Sequence, residues 1–297
     1  MAGTVGIVGL GIMGGAIANS LIERGWRVLG TDIDPARCAA LAQAGGTPYA
    51  DIVAVCSAAP VIITSLPSPA ALAQVAASIA ATPEPRVVIE TSTMALADKL
   101  AARDVLHATG HTALDCTISG TGAQARNRDL VIYASGDTAA VTAQMPLFAD
   151  FARAAHDLGA YGNGTRMKFV ANLLVAIHNV AAAEAMVLAT AAGLDAEQVV
   201  QLAGAGAGAS RMFDMRAPMM AARTYAPATM RVSTWQKDME IIGAFARELG
   251  VSVPLFEASG PIYTEALAAG MGEQDTAAVH AVLERRSLQG HRTSDGD

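Results

Sequence analysis

The sequence predicts an α/β protein: a doubly wound parallel sheet in the N-terminal half, then an all-α C-terminal half, with one long helix between them. Three observations carry this. Short apolar strand candidates alternate with helix-period segments through the first half. A Gly-x-Gly-x-x-Gly run directly follows the first strand candidate. Over residues 165–192 apolar positions recur with helical period, unbroken by proline or glycine.

With 297 residues the chain is long enough for two domains. The expected division is a dinucleotide-binding domain over 1–162, a helical substrate and oligomerisation domain over 163–285, and a flexible polar tail over 286–297. Hydrophobic residues make up 52%, but alanine supplies much of this. No uninterrupted apolar run of about 18 residues stands out, so the expectation is a soluble protein with no membrane partner. No basic segment precedes an apolar one at the start, which argues against a signal peptide and places the protein in the cytoplasm. The formal charge of -7, without a basic cluster, excludes nucleic acid as an expected partner. Cys38, Cys56 and Cys116 form no CxxC pair, so neither a disulfide framework nor a metal site is expected.

Thr4–Val8 is the first strand. Gly9, Gly11, Ile12, Met13 and Gly14 make the turn into a helix carrying Ala16, Ile17, Leu21 and Ile22. Such glycines permit a tight turn, close approach of the backbone to a pyrophosphate, and close helix packing, with the helix N-terminus facing the phosphates. Gly25 ends the helix and residues 27–30 read as the second strand. Asp32 follows at the spacing of the acid that accepts hydrogen bonds from the adenosine ribose diol. It favours NAD over NADP, because an aspartate repels a 2′-phosphate; Arg37 lies a turn further on. A plain helix cap and turn is the competing account of residues 32–35.

Further strands are expected at 61–65, 87–89, 112–116 and 130–135. In a parallel doubly wound sheet, ligands collect at the carboxyl ends of strands. That puts Leu66, Pro67, Ser92 and Thr93 along the cofactor trough. Thr93 either reaches the nicotinamide half or caps the following helix. Ser119 and Gly120 can offer a hydroxyl and an unobstructed N–H to a carboxylate, with a simple glycine turn as the alternative.

The 165–192 helix spans about 40 Å at 1.5 Å per residue. Lys168 and Asn172, four apart, share one of its faces, and Gly162 and Gly164 loosen the backbone just before it. Gly193 caps it, and Asp195 with Gln198 opens the next helix. The Gly204–Gly208 glycine run follows a helix rather than a strand and reads as a loop. Helices at 235–249 and 253–270 complete the half.

With these pieces in order, the chain resembles the β-hydroxyacid dehydrogenase family over nearly its whole length. The resemblance rests on residues 9–14, on Asp115-Cys-Thr-Ile-Ser-Gly120, on the stretch 159–172 containing Lys168 and Asn172, and on Lys237-Asp238. It implies that Lys168 is the catalytic lysine and that Asn172, Ser119 and Gly120 hold the substrate. By the same resemblance Thr93 contacts the nicotinamide side, Lys237 reaches cofactor or substrate, and Asp238 supports it. Thr121, Arg128 and Asp129 depart from the family pattern in the substrate loop, which makes Thr121 a candidate substrate contact and Thr121 and Arg128 the expected determinants of substrate choice.

The expected reaction interconverts a small 3-hydroxy acid and its semialdehyde or keto acid. Lys168 accepts the hydroxyl proton in oxidation, for which it must be neutral, and returns it in reduction. The partner is a small anionic hydroxy-acid or aldehyde-acid substrate, and the assembly a homodimer or homotetramer. An imine reductase on the same plan is a rival reading, opposed by Lys168 with Asn172. A non-catalytic NAD(H)-binding protein is the other.

Overall fold

Apolar residues on both faces fix the first strands in the middle of a sheet. In the computed structural model, which describes residues 3–294, Val5, Ile7, Ile62, Ile63, Val88 and Ile89 are buried, as a parallel sheet covered on both sides requires. The strands are β1 (Thr4–Val8), β2 (Arg27–Thr31), β3 (Thr47–Pro48), β4 (Val61–Thr64), β5 (Val87–Glu90), β6 (Thr112–Ser119), β7 (Val131–Ser135) and β8 (Ala154–Asp157). Between them run α1 (Ile12–Glu23), α2 (Pro35–Gln43), α3 (Ile52–Ala58), α4 (Pro69–Ala80), α5 (Leu96–His107), α6 (Gly122–Arg126) and α7 (Thr138–Phe151).

The sheet order is β3-β2-β1-β4-β5-β6-β7-β8. The chain winds outward in both directions from β1 and β4, so the crevice where ligands collect lies at their carboxyl ends. On one face Val5, Ile7, Ile63 and Ile89 pack with Ile17 and Leu21 of α1 and Phe148 of α7. On the other, Val8, Ile62 and Val88 pack with Val55 of α3 and Leu72 and Ile79 of α4.

One pairing departs from a purely parallel sheet. β7 runs antiparallel to β6, with Asp115 opposite Ser135. Only the five-residue α6 and its short flanks lie between these strands, too little chain for a crossover that would return β7 parallel.

The chain divides into two units, Met1–Phe169 and Val170–Asp297. The division falls inside α8 (Asn163–Ala191). The second unit continues with α9 (Ala196–Gly204), α10 (Arg211–Ala221), α11 (Val232–Glu248), α12 (Pro254–Ala268) and α13 (Val279–Ser294). Its interior is polar as well as aromatic. The Tyr263 hydroxyl donates to the Ala176 carbonyl at 3.0 Å and accepts from Asn179 Nδ2 at 2.9 Å. Asp275, fully buried, pairs with Arg216 at 3.0 Å and accepts from the amides of Thr229, Met230 and Ala277. One carboxylate thereby ties two loops to α10.

In the stretch expected as a tail, residues 286–294 continue α13, and the Arg286 guanidinium reaches Glu265 on α12 at 2.6 Å; residues 295–297 lie outside the described residues. α8 is long and apolar enough to cross a membrane, with a mean hydropathy of 1.7 over its most apolar stretch. Its apolar residues are interrupted by polar ones, so it contains no unbroken apolar run of that length. Asn172 and Asn179, buried on α8, make side-chain hydrogen bonds within the second unit. Those bonds mark it as the core helix of a globular unit.

Candidate functional site

The glycine run makes a tight turn packed against the end of β4. A Cβ on Gly14 would collide with the carbonyl oxygen of Gly9, and one on Gly9 with that of Ser65 at the end of β4. Helix α1 therefore enters directly over the β1–β4 crevice. Its N-cap, Gly11, supplies no side-chain hydrogen bond, leaving the first amides of the helix available to a phosphate. Ile12 is 73% exposed there, while Met13 leans onto the core.

Beside this turn is a cavity of about 410 Å³, walled by Gly9, Asp32, Ile33, Arg37, Leu66 and Pro67 among others. Its position and size fit the adenosine half of a dinucleotide. Asp32 stands at its edge but is turned inward. One carboxylate oxygen accepts from the Leu10 amide at 2.6 Å and lies 3.3 Å from Arg37 Nη1; the other accepts from the Asp34 amide at 2.9 Å. Only 4% of its side chain is exposed. Asp32 thus braces the glycine turn against the end of β2. Arg37 is also 3.4 Å from Asp34, so two carboxylates flank one guanidinium on this wall.

Across the crevice the turn after β5 is held in place. The Leu66 amide donates to Ser92 Oγ at 2.8 Å, and the Ser92 amide to Glu90 Oε1 at 2.8 Å. Thr93 follows, half-buried. Thr93 is not the N-cap residue of α5, which begins at Leu96 with Ala95 in that position. Ser119 ends β6 opposite Val131, and Gly120 follows it. The Thr121 hydroxyl closes a capping box with Gln124 at the start of α6. Arg128 reaches Glu23 at 3.3 Å and Asp129 reaches Arg153 at 2.9 Å. These departures from the family pattern brace α6 and its neighbours.

Lys168 is half-buried near the start of α8. The glycine before it has a different role from the one its flexibility suggests. A Cβ on Gly164 would strike the carbonyl oxygens of Tyr133 on β7 and Asp115 on β6, so Gly164 lets the first turn of α8 lie against the sheet. Gly162, at φ +95°, makes the turn into it. In the second unit Asn172 Nδ2 donates to Asp238 Oδ2 at 3.0 Å, which orients the amide. Lys237 Nζ is 3.7 Å from the other Asp238 oxygen. Asp238 therefore holds Asn172 as well as Lys237.

Sequence reasoning missed a group of buried polar residues. Lys99 of α5 is completely buried, with Nζ 2.6 Å from Glu90, 2.6 Å from Asp115 and 2.9 Å from the Ser92 carbonyl. Burial alone would lower its pKa, but the two carboxylates outweigh that and hold the ammonium above its ordinary value. Asp115 also accepts from the amide of Thr165 at 2.7 Å and from its hydroxyl at 2.9 Å. A faint signal exists in the sequence: Glu90 ends an apolar strand and Asp115 interrupts one.

Comparison with known proteins bears on all of this. Residues 4–162 match the family profile described as the NAD binding domain of 6-phosphogluconate dehydrogenase. Residues 162–283 match that described as NAD-binding of NADP-dependent 3-hydroxyisobutyrate dehydrogenase. The chain is 30% identical to an L-threonate dehydrogenase of Cupriavidus necator, over 98% of this chain and 99% of the relative. It is 28% identical to glyoxylate/succinic semialdehyde reductase 1 of Arabidopsis thaliana, over 93% of this chain and 96% of the relative. Among solved structures, 3-hydroxyisobutyrate dehydrogenase of Mycobacterium tuberculosis with L-serine superposes with a TM-score of 0.86 at 25% identity, covering 95% of this chain and 99% of that one.

Proposed function

The chain belongs to the β-hydroxyacid dehydrogenase family, and on that premise we propose that it interconverts a small 3-hydroxy acid and its semialdehyde or keto acid. Its relatives are named for a hydroxy acid, threonate, and for small semialdehydes, which supports a small anionic substrate. The observation that carries the reading is the seat of Lys168. The first turn of α8 is bonded to Asp115 and Ser135, in the same sheet whose β1–β4 crevice is the proposed dinucleotide site.

When bound, NAD supplies a hydride acceptor at C4 of its nicotinamide. Lys168 Nζ takes the hydroxyl proton as the alcohol is oxidised and returns it to the carbonyl oxygen in reduction. Ser119, the Gly120 amide and Asn172 bind the substrate's carboxylate and hydroxyl, with the Asn172 amide oriented by Asp238. Thr93 lines the nicotinamide side, and Lys237 reaches toward cofactor or substrate. NAD is preferred to NADP because Arg37, which lines the adenosine cavity, is already flanked by Asp32 and Asp34, and a 2′-phosphate would add negative charge beside them. Residues 1–162 form the dinucleotide domain and 163–285 the substrate and assembly domain of a cytoplasmic homodimer or homotetramer.

A spectrophotometric panel of 3-hydroxy acids and aldehyde acids against NAD and NADP tests the reading, with wild type beside Lys168→Ala. The variant is expected to lose about 10²- to 10⁴-fold in kcat while still binding NAD. An unchanged kcat sinks the lysine assignment. Absence of turnover with every acid, alongside tight NAD(H) binding, would favour a non-catalytic binding protein.

A further inference from the structure

We propose that Asp115, clamped between Lys99 and Thr165, is the positioning residue for Lys168. This rests on the assignment of Lys168 as the proton-transfer group. The ammonium of Lys99 and the first turn of α8 share one buried carboxylate, and Lys168 follows Thr165 by three residues, about one helical turn.

The register of the sheet creates the arrangement. Glu90 lies opposite Asp115 on β5 and β6, and Asp115 opposite Ser135 on β6 and β7. Laterally paired residues point to the same face of a sheet, so Glu90, Asp115 and Ser135 form a row of polar side chains, which Thr64 opposite Glu90 extends. Lys99 descends onto one end of the row and α8 onto the other. Each of the first amides of α8 then finds a partner. Asn163 N donates to the Ala160 carbonyl at 3.1 Å, Gly164 N to Ser135 Oγ at 2.9 Å, Thr165 N to Asp115 Oδ2 at 2.7 Å, and Arg166 N to the Gly162 carbonyl at 3.0 Å. Thr117 Oγ1 adds a bond to the Gly164 carbonyl at 2.7 Å.

Other helices in this chain are capped more simply. The side chains of Asp34, Asp51, Ser68, Asp137, Asp195 and Ser210, each immediately preceding its helix, cap α2, α3, α4, α7, α9 and α10. Any of these local caps would stabilise the start of α8. None would tie that start to the sheet. A carboxylate fifty positions earlier in the sequence does so. Its negative charge complements both the buried ammonium and the positive end of the helix. Buried ionic groups contribute little net stability, and their best-attested use is to select one register. Here the register selected is that of α8 on the sheet, hence the place of Lys168.

Thr165→Val tests this, because valine keeps the shape and removes only the hydroxyl donor to Asp115. The expected variant folds, binds NAD with the wild-type Kd, loses roughly ten- to a hundred-fold in kcat and shows a displaced kcat–pH profile. Thr165→Ser, which keeps the donor, restores both. Wild-type kcat and pH profile in Thr165→Val would overturn the proposal, as would a loss that Thr165→Ser shares equally. If Thr165→Val does not fold, Ser135→Ala removes the acceptor of the Gly164 amide and is expected to lower kcat in the same way at unchanged NAD affinity; wild-type kcat there overturns the proposal too. Lys168→Ala separates the two ideas. If it loses kcat while Thr165→Val does not, only the positioning role falls. If it keeps kcat, the lysine assignment falls and takes the positioning role with it.

Discussion

Asp32 shows how a residue found by spacing acquires its meaning from neighbours. The interval from the glycine run marks it as the ribose acid, and it does border the adenosine cavity. Its oxygens are nevertheless engaged by the amides of Leu10 and Asp34 and approached by Arg37. None of these partnerships can be read from spacing, because each depends on how the turn after β2 folds back on the glycine loop. On the proposed preference for NAD, Asp34 acts at the 2′ position through Arg37, which it flanks together with Asp32. Asp34→Ser tests that view, since serine can keep the cap on the Ala36 amide that Asp34 provides. With one flanking carboxylate gone, kcat/KM for NADP is expected to rise about two- to five-fold, the modest effect of a solvent-screened pair, while that for NAD changes little. A fall in NADP efficiency would show that Asp34 does not shape the preference.

The long helix was legible as an element, and its start was not. Apolar period and the lack of breakers give a helix over 165–192, close to the observed Asn163–Ala191. The glycines before Lys168 read from sequence as slack in a loop near a ligand. Gly162 does turn the chain, but Gly164 is inside the helix, where the carbonyls of Tyr133 and Asp115 leave no room for a methyl group. Gly164→Ala is therefore expected to cost about 1–3 kcal/mol of stability, as overpacked sites do, and to lower kcat by shifting the turn that carries Lys168. Thermal unfolding beside steady-state kinetics measures both, and a variant with wild-type values in each would refute the close packing. From sequence, Thr121 and Arg128 are expected to choose the substrate. The hydroxyl of Thr121 caps α6 and the guanidinium of Arg128 meets Glu23, partnerships that depend on α1 and α6 lying side by side.

At the scale of the whole molecule, acid should act through one buried histidine in each unit among the described residues. His111 Nδ1 accepts from the Arg86 amide at 3.1 Å, and burial, then the charge of Arg86, lowers its pKa from the ordinary 6.5. His280, beside the Tyr225 hydroxyl, is lowered by burial and Arg223 against the opposing pull of Glu284. Both are therefore neutral in the folded state at pH values where the unfolded chain begins to protonate them. The unfolded state then binds more protons, so their contribution is present above about pH 6.5 and is lost as pH falls from there toward the depressed folded values. A thermal midpoint that is level above neutrality and drops below about pH 6.5 is expected; one that stays level to pH 5.5 would contradict it. The sequence by itself determined the α/β half, the dinucleotide turn, the long helix and Lys168 within it, because glycine spacing, strand alternation and helical period are written in residues close together along the chain. Only the tertiary structure decided the inward turn of Asp32, the partner of Asn172, and the seat of α8. Lys99, Asp115 and Thr165 lie 16 and 50 residues apart, and their meeting depends on β5, β6 and β7 standing in one register, which no local pattern encodes.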